Sequence, residues 1–196
     1  ENVYTCNNLC SATSLLSGSS FVQEIMLYEG WNMWSTYIDP TDNTMESIFS
    51  DIVEDVIIIK DETGLVYWPL FNLNSIGSIE SGKGYQAKVF SNTFLTVTGS
   101  IIPYDFPINL SSGWGMMGYL HDQCNNAIDM VNEMENLIIL KDESGNVYWP
   151  LFGLNSLGDM CPGEGYQIKT TGTVDFSYPS GGRFGFSDFT VVGKTV

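Results

Sequence analysis

The hydrophobic pattern of this chain is laid down twice. Between Gly30 and Tyr37, Trp31 and Met33 fall on one side and Asn32 and Trp34 on the other, the period-two rhythm of a strand. Asp39-Pro40-Thr41-Asp42-Asn43 reads as a turn, after which the period changes. Met45, Ile48, Phe49, Ile52, Val53 and Val56 recur at i, i+3, i+4, i+7, i+8 and i+11, the apolar stripe of an amphipathic helix. Asn43, with Glu46 three residues on, has the form of a capping box and predicts the start of that helix. The apolar run from Val56 to Lys60 has strand length. Asp61-Glu62-Thr63-Gly64 reads as a tight hairpin turn closed by the positive φ that Gly64 can supply. Leu65 to Leu70 returns as a strand containing Pro69, which cannot donate to a ladder and so predicts an edge or a bulge. A Gly- and Ser-rich loop leads to the strand Gly84-Tyr85-Gln86-Ala87-Lys88-Val89, and Phe94 to Thr98 closes the unit.

The same order then returns. Lys60-Asp61-Glu62-Thr63-Gly64-Leu65-Val66-Tyr67-Trp68-Pro69-Leu70-Phe71 reappears as Lys141-Asp142-Glu143-Ser144-Gly145-Asn146-Val147-Tyr148-Trp149-Pro150-Leu151-Phe152, an offset of 141 − 60 = 81. Gly84-Tyr85-Gln86 and Lys88 return as Gly165-Tyr166-Gln167 and Lys169. Gly30-Trp31-Asn32-Met33 returns as Gly113-Trp114-Gly115-Met116, and Ser35 as Gly118, an offset of 113 − 30 = 83. The helical stripe is kept as Ala127, Met130, Val131 and Met134 after Asn125. A tandem duplication therefore predicts two similar lobes. The units are a lead-in segment over 1–24, a first repeat over 25–100, an apolar inter-repeat segment over 101–109 that suits packing between lobes, and a second repeat over 110–180. A tail over 181–196 follows, in which Phe184 to Val192 reads as one more strand. The predicted fold class is α+β, each lobe a small, mainly antiparallel sheet with one helix on one face.

Charge narrows the partners. The 196 residues carry 23 acids against 7 bases, a formal charge of −16, which argues against a nucleic-acid backbone or an anionic membrane surface as partner. No run of eighteen apolar residues occurs, so no membrane insertion is expected. The chain opens on Glu1 without a signal sequence, which fits either a processed secreted protein or a piece of a longer chain. An even cysteine count then predicts two disulfides, Cys6–Cys10 and Cys124–Cys161. Neither pair has the spacing of a zinc knuckle, so no metal and no cofactor is expected.

Catalytic templates find no purchase. Gly-x-Ser-x-Gly and His-Glu-x-x-His do not occur. His121, the single histidine, reads as a surface loop residue. Gly82-x-Gly84 and Gly163-x-Gly165 precede strands and read as turns, not phosphate cradles. Asp61, Glu62, Asp142 and Glu143 sit on hairpin tips, where solvated charge is the default. Asp39, Asp42 and Asn43 could gather oxygens but lack the spacing of a calcium loop. The aromatics are the richer signal: Val66, Trp68 and Leu70 share one face of their strand, and Tyr67 and Phe71 the other. One face meets the helix. The second either packs on the neighbouring repeat or presents Tyr67, Trp68, Tyr85, Tyr148, Trp149 and Tyr166 as a platform for sugar rings.

The Gly-Trp-Asn, Lys-Asp-x-x-Gly-x-Val-Tyr-Trp-Pro and Gly-Tyr-Gln strings, over 27–100 and 110–180, resemble repeats of secreted surface proteins of marine Bacteroidota. They also resemble structural, tail-fibre-like proteins of marine bacteriophages. That resemblance implies an extracellular module with no catalytic residues to carry over. The expected function is thus a non-enzymatic structural or attachment element of a cell surface or virion, assembling with neighbouring subunits or other surface proteins. The alternative is a glycan-binding adhesin taking polysaccharide on its exposed Trp and Tyr.

Overall fold

The structure, a computed structural model, describes residues 20–180. The Cys6–Cys10 pair, the segment before Ser20 and the expected tail strand lie outside the described residues. Repeat 1 runs β1 (Phe21–Leu27), β2 (Gly30–Trp34), β3 (Ile38–Pro40), α1 (Met45–Ile48), β4 (Val56–Lys60), β5 (Val66–Trp68), β6 (Leu73–Asn74), β7 (Tyr85–Val89) and β8 (Thr93–Ile101). Repeat 2 runs β9 (Ile108–Leu110), β10 (Gly113–Gly118), β11 (Asn125–Asn126), α2 (Ala127–Val131), β12 (Leu137–Lys141), β13 (Val147–Trp149), β14 (Leu154–Asn155), β15 (Asp159–Met160), β16 (Gly165–Thr170) and β17 (Val174–Phe176).

Each repeat builds one five-stranded antiparallel sheet, in the order β2-β7-β4-β5-β6 or β10-β16-β12-β13-β14. A smaller sheet supplies the second layer: β1-β8-β3 in repeat 1 and β17-β9 in repeat 2, with β11-β15 as a separate pair. The core of repeat 1 lies between its layers, where Ile25, Leu27, Leu95 and Val97 meet Trp34, Ile59, Tyr85 and Ala87. Repeat 2 packs Leu110, Val174 and Phe176 with Met117, Leu140, Tyr166 and Ile168 in the same way.

The α+β expectation is corrected. Strand makes up 47% of the structure and helix 11%, which is nearly all-β. The stripe from Met45 to Val56 is honoured only at its start, where Met45, Ile48 and Phe49 are buried. After one α-turn the chain passes through a 3₁₀ turn (Ser50–Ile52), and Val56 already belongs to β4. The cause lies in the β-branched residues Ile52, Val53 and Val56 to Ile59, whose χ1 stiffness favours the pleated sheet they run into. A single turn cannot sustain itself and persists because its apolar side docks on the core. The cap also moves one place along: the Thr44 hydroxyl, not Asn43, accepts from the Ser47 amide at 3.3 Å. In repeat 2 the Asn126 side chain accepts from Ile128 N at 3.0 Å.

The lobes are joined through backbone. Ser35 N donates to Gly163 O at 2.9 Å, and Gly118 N donates to Gly82 O at 2.8 Å. Isolated bridges Trp34–Glu164 and Lys83–Met117 accompany them. Together with the β2–β7 and β10–β16 ladders these bridges close a ring, β2–β7–β10–β16, around which every neighbour is hydrogen-bonded. The contact is reciprocal, each repeat offering the same surface to the other.

Candidate functional site

Register places the side chains of the outward sheet face. On repeat 1, Trp31 lies opposite Lys88 and Lys88 opposite Ile58, while Met33, Gln86, Lys60 and Val66 form the next row. Trp68 faces Leu73 at the far edge. Repeat 2 repeats the arrangement with Trp114, Lys169 and Ile139, then Met116, Gln167, Lys141 and Val147, then Trp149 and Leu154. Two features stand out on each face.

At the β5–β6 edge, Pro69–Phe71 forms a 3₁₀ turn that ends at Asn72 with φ 49°. This turn throws Leu70 and Phe71 into solvent, 81% and 62% exposed, beside half-buried Trp68, whose ring meets Phe71 edge-on at 4.6 Å. Gly153 ends the second turn with φ 60°, leaving Leu151 and Phe152 81% and 66% exposed and the Trp149–Phe152 rings again at 4.6 Å. Leu73 and Leu154 extend each apolar corner. Fully burying one such side chain is worth about 1.5–3 kcal/mol.

At the other end, Trp31 and Trp114 are each about half exposed. The Lys60 and Lys88 ammoniums sit 5.0 and 5.7 Å from the Trp31 ring centre, and those of Lys141 and Lys169 sit 5.8 and 5.4 Å from that of Trp114. These are cation–π distances.

The tyrosines expected on a sugar platform are elsewhere. Tyr67, Tyr85, Tyr148 and Tyr166 are buried because they alternate onto the inner face. The Tyr85 hydroxyl accepts from Glu80 N at 2.8 Å, and burial pushes its phenol up to about 12. Tyr166 OH accepts from Cys161 N at 2.9 Å and donates to the Glu164 carboxylate. Of the six platform residues, only Trp68 and Trp149 reach the outward face. Trp31 and Trp114 were missed, although their signal was present: counting alternation from each repeated Gly-Trp places the indole on the same side as the lysines of the Lys-Asp and Gly-Tyr-Gln-x-Lys strings.

The hairpin-tip carboxylates are not all solvated. Asp61 Oδ1 accepts from Thr63 N and Leu65 N at 2.9 and 2.8 Å, fastening its own turn. Glu62 Oε2 crosses to the other repeat and accepts from Met116 N at 2.7 Å, while Glu143 Oε2 accepts from Met33 N at 2.8 Å. Lys83 pairs with Glu62 at 2.6 Å, the one salt bridge among the described residues. Its counterpart is Glu164, and there burial, then the nearby charges of Glu164 and Asp142, hold the Glu143 carboxyl above its usual range against the pull of the Met33 amide. The paired glycines belong to this junction. A Cβ on Gly84 would stand 2.7 Å from Met117 O, and one on Gly165 2.7 Å from Trp34 O.

Cys124 and Cys161 form the expected disulfide, with Cα atoms 4.1 Å apart. His121 is corrected from surface to core: it is fully buried and stacks on Tyr104 at 5.3 Å, with Tyr119 and Tyr178 around it. Asp42 accepts from the amide and hydroxyl of Thr44, bonds that lower its carboxyl below the usual range and commit it to the turn. Among the described residues no three His, Cys, Asp or Glu side chains gather as metal ligands.

No protein family, no curated protein and no solved structure matches this chain. The disulfide indicates an oxidising compartment. No helix among the described residues is long and apolar enough to cross a membrane.

Proposed function

We propose that this chain is a non-catalytic extracellular module, a structural or attachment element that joins other protein subunits through its two apolar corners. The observation that carries the reading is their duplication. Leu70-Phe71 and Leu151-Phe152 stand exposed in the same conformation, at the same sheet edge, in both repeats. Exposed apolar groups arranged as patches mark association surfaces, whereas scattered ones need no explanation. Two equivalent corners on one hydrogen-bonded pair of lobes give a connector with two attachment points, suited to a cell surface or a particle built of repeated subunits.

Light scattering over a concentration series tests this. The wild-type chain is expected to assemble, and a variant carrying Leu70→Ser, Phe71→Ser, Leu151→Ser and Phe152→Ser to remain monomeric with its folding transition unchanged. A wild-type chain that stays monomeric at high concentration, alone and with extracts of its own cell surface, overturns the reading.

A further inference from the structure

Among the described residues the scarce positive charge is not spread over the surface. Five of its lysines lie among the described residues: Lys60, Lys83, Lys88, Lys141 and Lys169. Lys83 is neutralised by Glu62. The other four stand in pairs over Trp31 and Trp114, and among the described residues none has a carboxylate within ion-pairing distance. In a chain with 23 acids, four unneutralised ammoniums gathered on two half-exposed indoles call for a partner.

We propose that each indole–lysine face binds a carboxylated sugar ring, so that the chain grips an acidic, uronate-containing polysaccharide at two points. The indole offers a flat apolar surface against which the C–H face of a sugar can lie. Two ammoniums on neighbouring strands stand 5.0 to 5.8 Å from each indole centre, and a carboxylate on the edge of the sugar is what would draw on both. Each indole lies open on the sheet face, that of Trp114 bordering a small cavity lined by Asp61, Glu62, Gln86 and Gln167, which fits a ring on a polymer better than a peptide anchor. The overall charge of −16 does not forbid this. At physiological ionic strength charges are screened beyond about 8 Å, so an anion on the indole responds to the lysine pair and, at Trp114, to the cavity-lining Asp61 and the Lys83-paired Glu62, and little to the rest of the surface. A polymer of widely spaced carboxylates can meet the two faces, whereas the dense charge of a nucleic-acid backbone would also have to lie along the acidic remainder. Duplication adds avidity, because binding at one face raises the effective concentration of the same chain at the other. The proposal does not rest on the apolar corners, which lie at the opposite edge of each sheet.

The test is titration of the full chain with oligogalacturonate, followed by calorimetry and tryptophan fluorescence, with neutral dextran as control. Two sites per chain are expected, weakened by added salt, with no response to dextran. The pair Lys60→Gln and Lys88→Gln should remove one site, Lys141→Gln with Lys169→Gln the other. All four together, or Trp31→Ala with Trp114→Ala, should weaken binding by at least about tenfold while circular dichroism stays unchanged. No binding of oligogalacturonate or alginate overturns the proposal, as do preferential binding of a sulfated, uronate-free glycan and binding that survives the four lysine substitutions. Binding of polyglutamate or an oligonucleotide in preference to the uronate also overturns it, assigning the faces to another class of polyanion. The serine variant of the apolar corners must retain uronate binding, so the two functional readings fail separately.

Discussion

In repeat 1 the chain leaving β2 runs on into β3, whose Ile38, Asp39 and Pro40 pair with Ile101, Ser100 and Gly99 of the nine-residue β8. In repeat 2 the corresponding segment, His121 to Gln123, is not a strand, and β17 spans three residues. There Cys124–Cys161 ties the loop down, and His121 fills the place of Ile38 within a nest of tyrosines. A ladder and a covalent bridge thus do equivalent work at equivalent positions. The junction shows a second contrast on a shared plan. Each repeat sends one glutamate to the other's backbone, but Glu62 has Lys83 beside it and Glu143 has Glu164. Duplication keeps geometry more faithfully than it keeps charge.

The largest expected effect comes from the bridge. Cys124→Ser with Cys161→Ser should cost about 4 kcal/mol in urea denaturation, since the bond closes a loop of 37 residues in the unfolded chain. Hydrogen exchange should show the loss concentrated around β11, β15 and α2, leaving β1, β3 and β8 protected. Uniform deprotection would mean that the two means of closure are not local. Next, Gly84→Ala and Gly165→Ala each drive a methyl group against backbone carbonyl oxygen, and each should cost about 1–3 kcal/mol. Near-equal losses in thermal melts would sharpen the reciprocity of the junction, and a twofold difference would break it.

The smallest effect carries a sign. Glu62→Gln removes a charge that Lys83 uses and should cost up to about 1 kcal/mol, screened by salt. Glu143→Gln should be neutral or mildly stabilising at neutral pH. The folded Glu143 carboxyl lies above its unfolded value, so the native state binds a proton more readily. Its stabilising contribution is present below the unfolded value and is lost as pH rises through the folded one. The wild type should therefore gain at this site on mild acidification, and Glu143→Gln should flatten that dependence. A steeper dependence in the variant would reverse the assignment.

Much of this architecture could be read from residue order. The repeat, the strands, the Asp-Glu-x-Gly hairpins and the Cys124–Cys161 pairing all follow from local chemistry: period, turn residues and parity. The helix is shorter than its stripe because periodicity marks which residues can be buried, not whether the backbone between them is helical, and Ile52 serves a 3₁₀ turn equally well while Val53 stays exposed. The roles of Glu62 and Glu143 depend on contacts 54 and 110 residues apart, and those of Gly84 and Gly165 on Met117 and Trp34 of the other repeat, which no spacing rule reaches. Asn32 and Gly115 differ for a related reason. The Asn32 amide fastens the Tyr28 turn, whereas a Cβ at Gly115 would meet Glu62 at 2.9 Å. The outward pair of Trp31 with Lys60 and Lys88 was within reach but required reading across strands.

A Cβ on Gly118 would stand 2.9 Å from the Cβ of Ser35, its own counterpart. The two equivalent positions therefore face each other where the repeats meet, and there is room for one side chain only. The Ser35 hydroxyl takes that room, donating to Glu164 O at 2.5 Å and accepting from Tyr119 N at 3.0 Å. Two identical copies could not both keep a serine there, so a serine in one repeat requires a glycine at the equivalent place in the other. The ring of strands has a matching arithmetic. A solenoid grows by one repeat at a time because each unit leaves a face open for the next. Here the β2 edge of one repeat and the β10 edge of the other are consumed by the twin, and of these two sheets only the far edges, β6 and β14, remain open among the described residues.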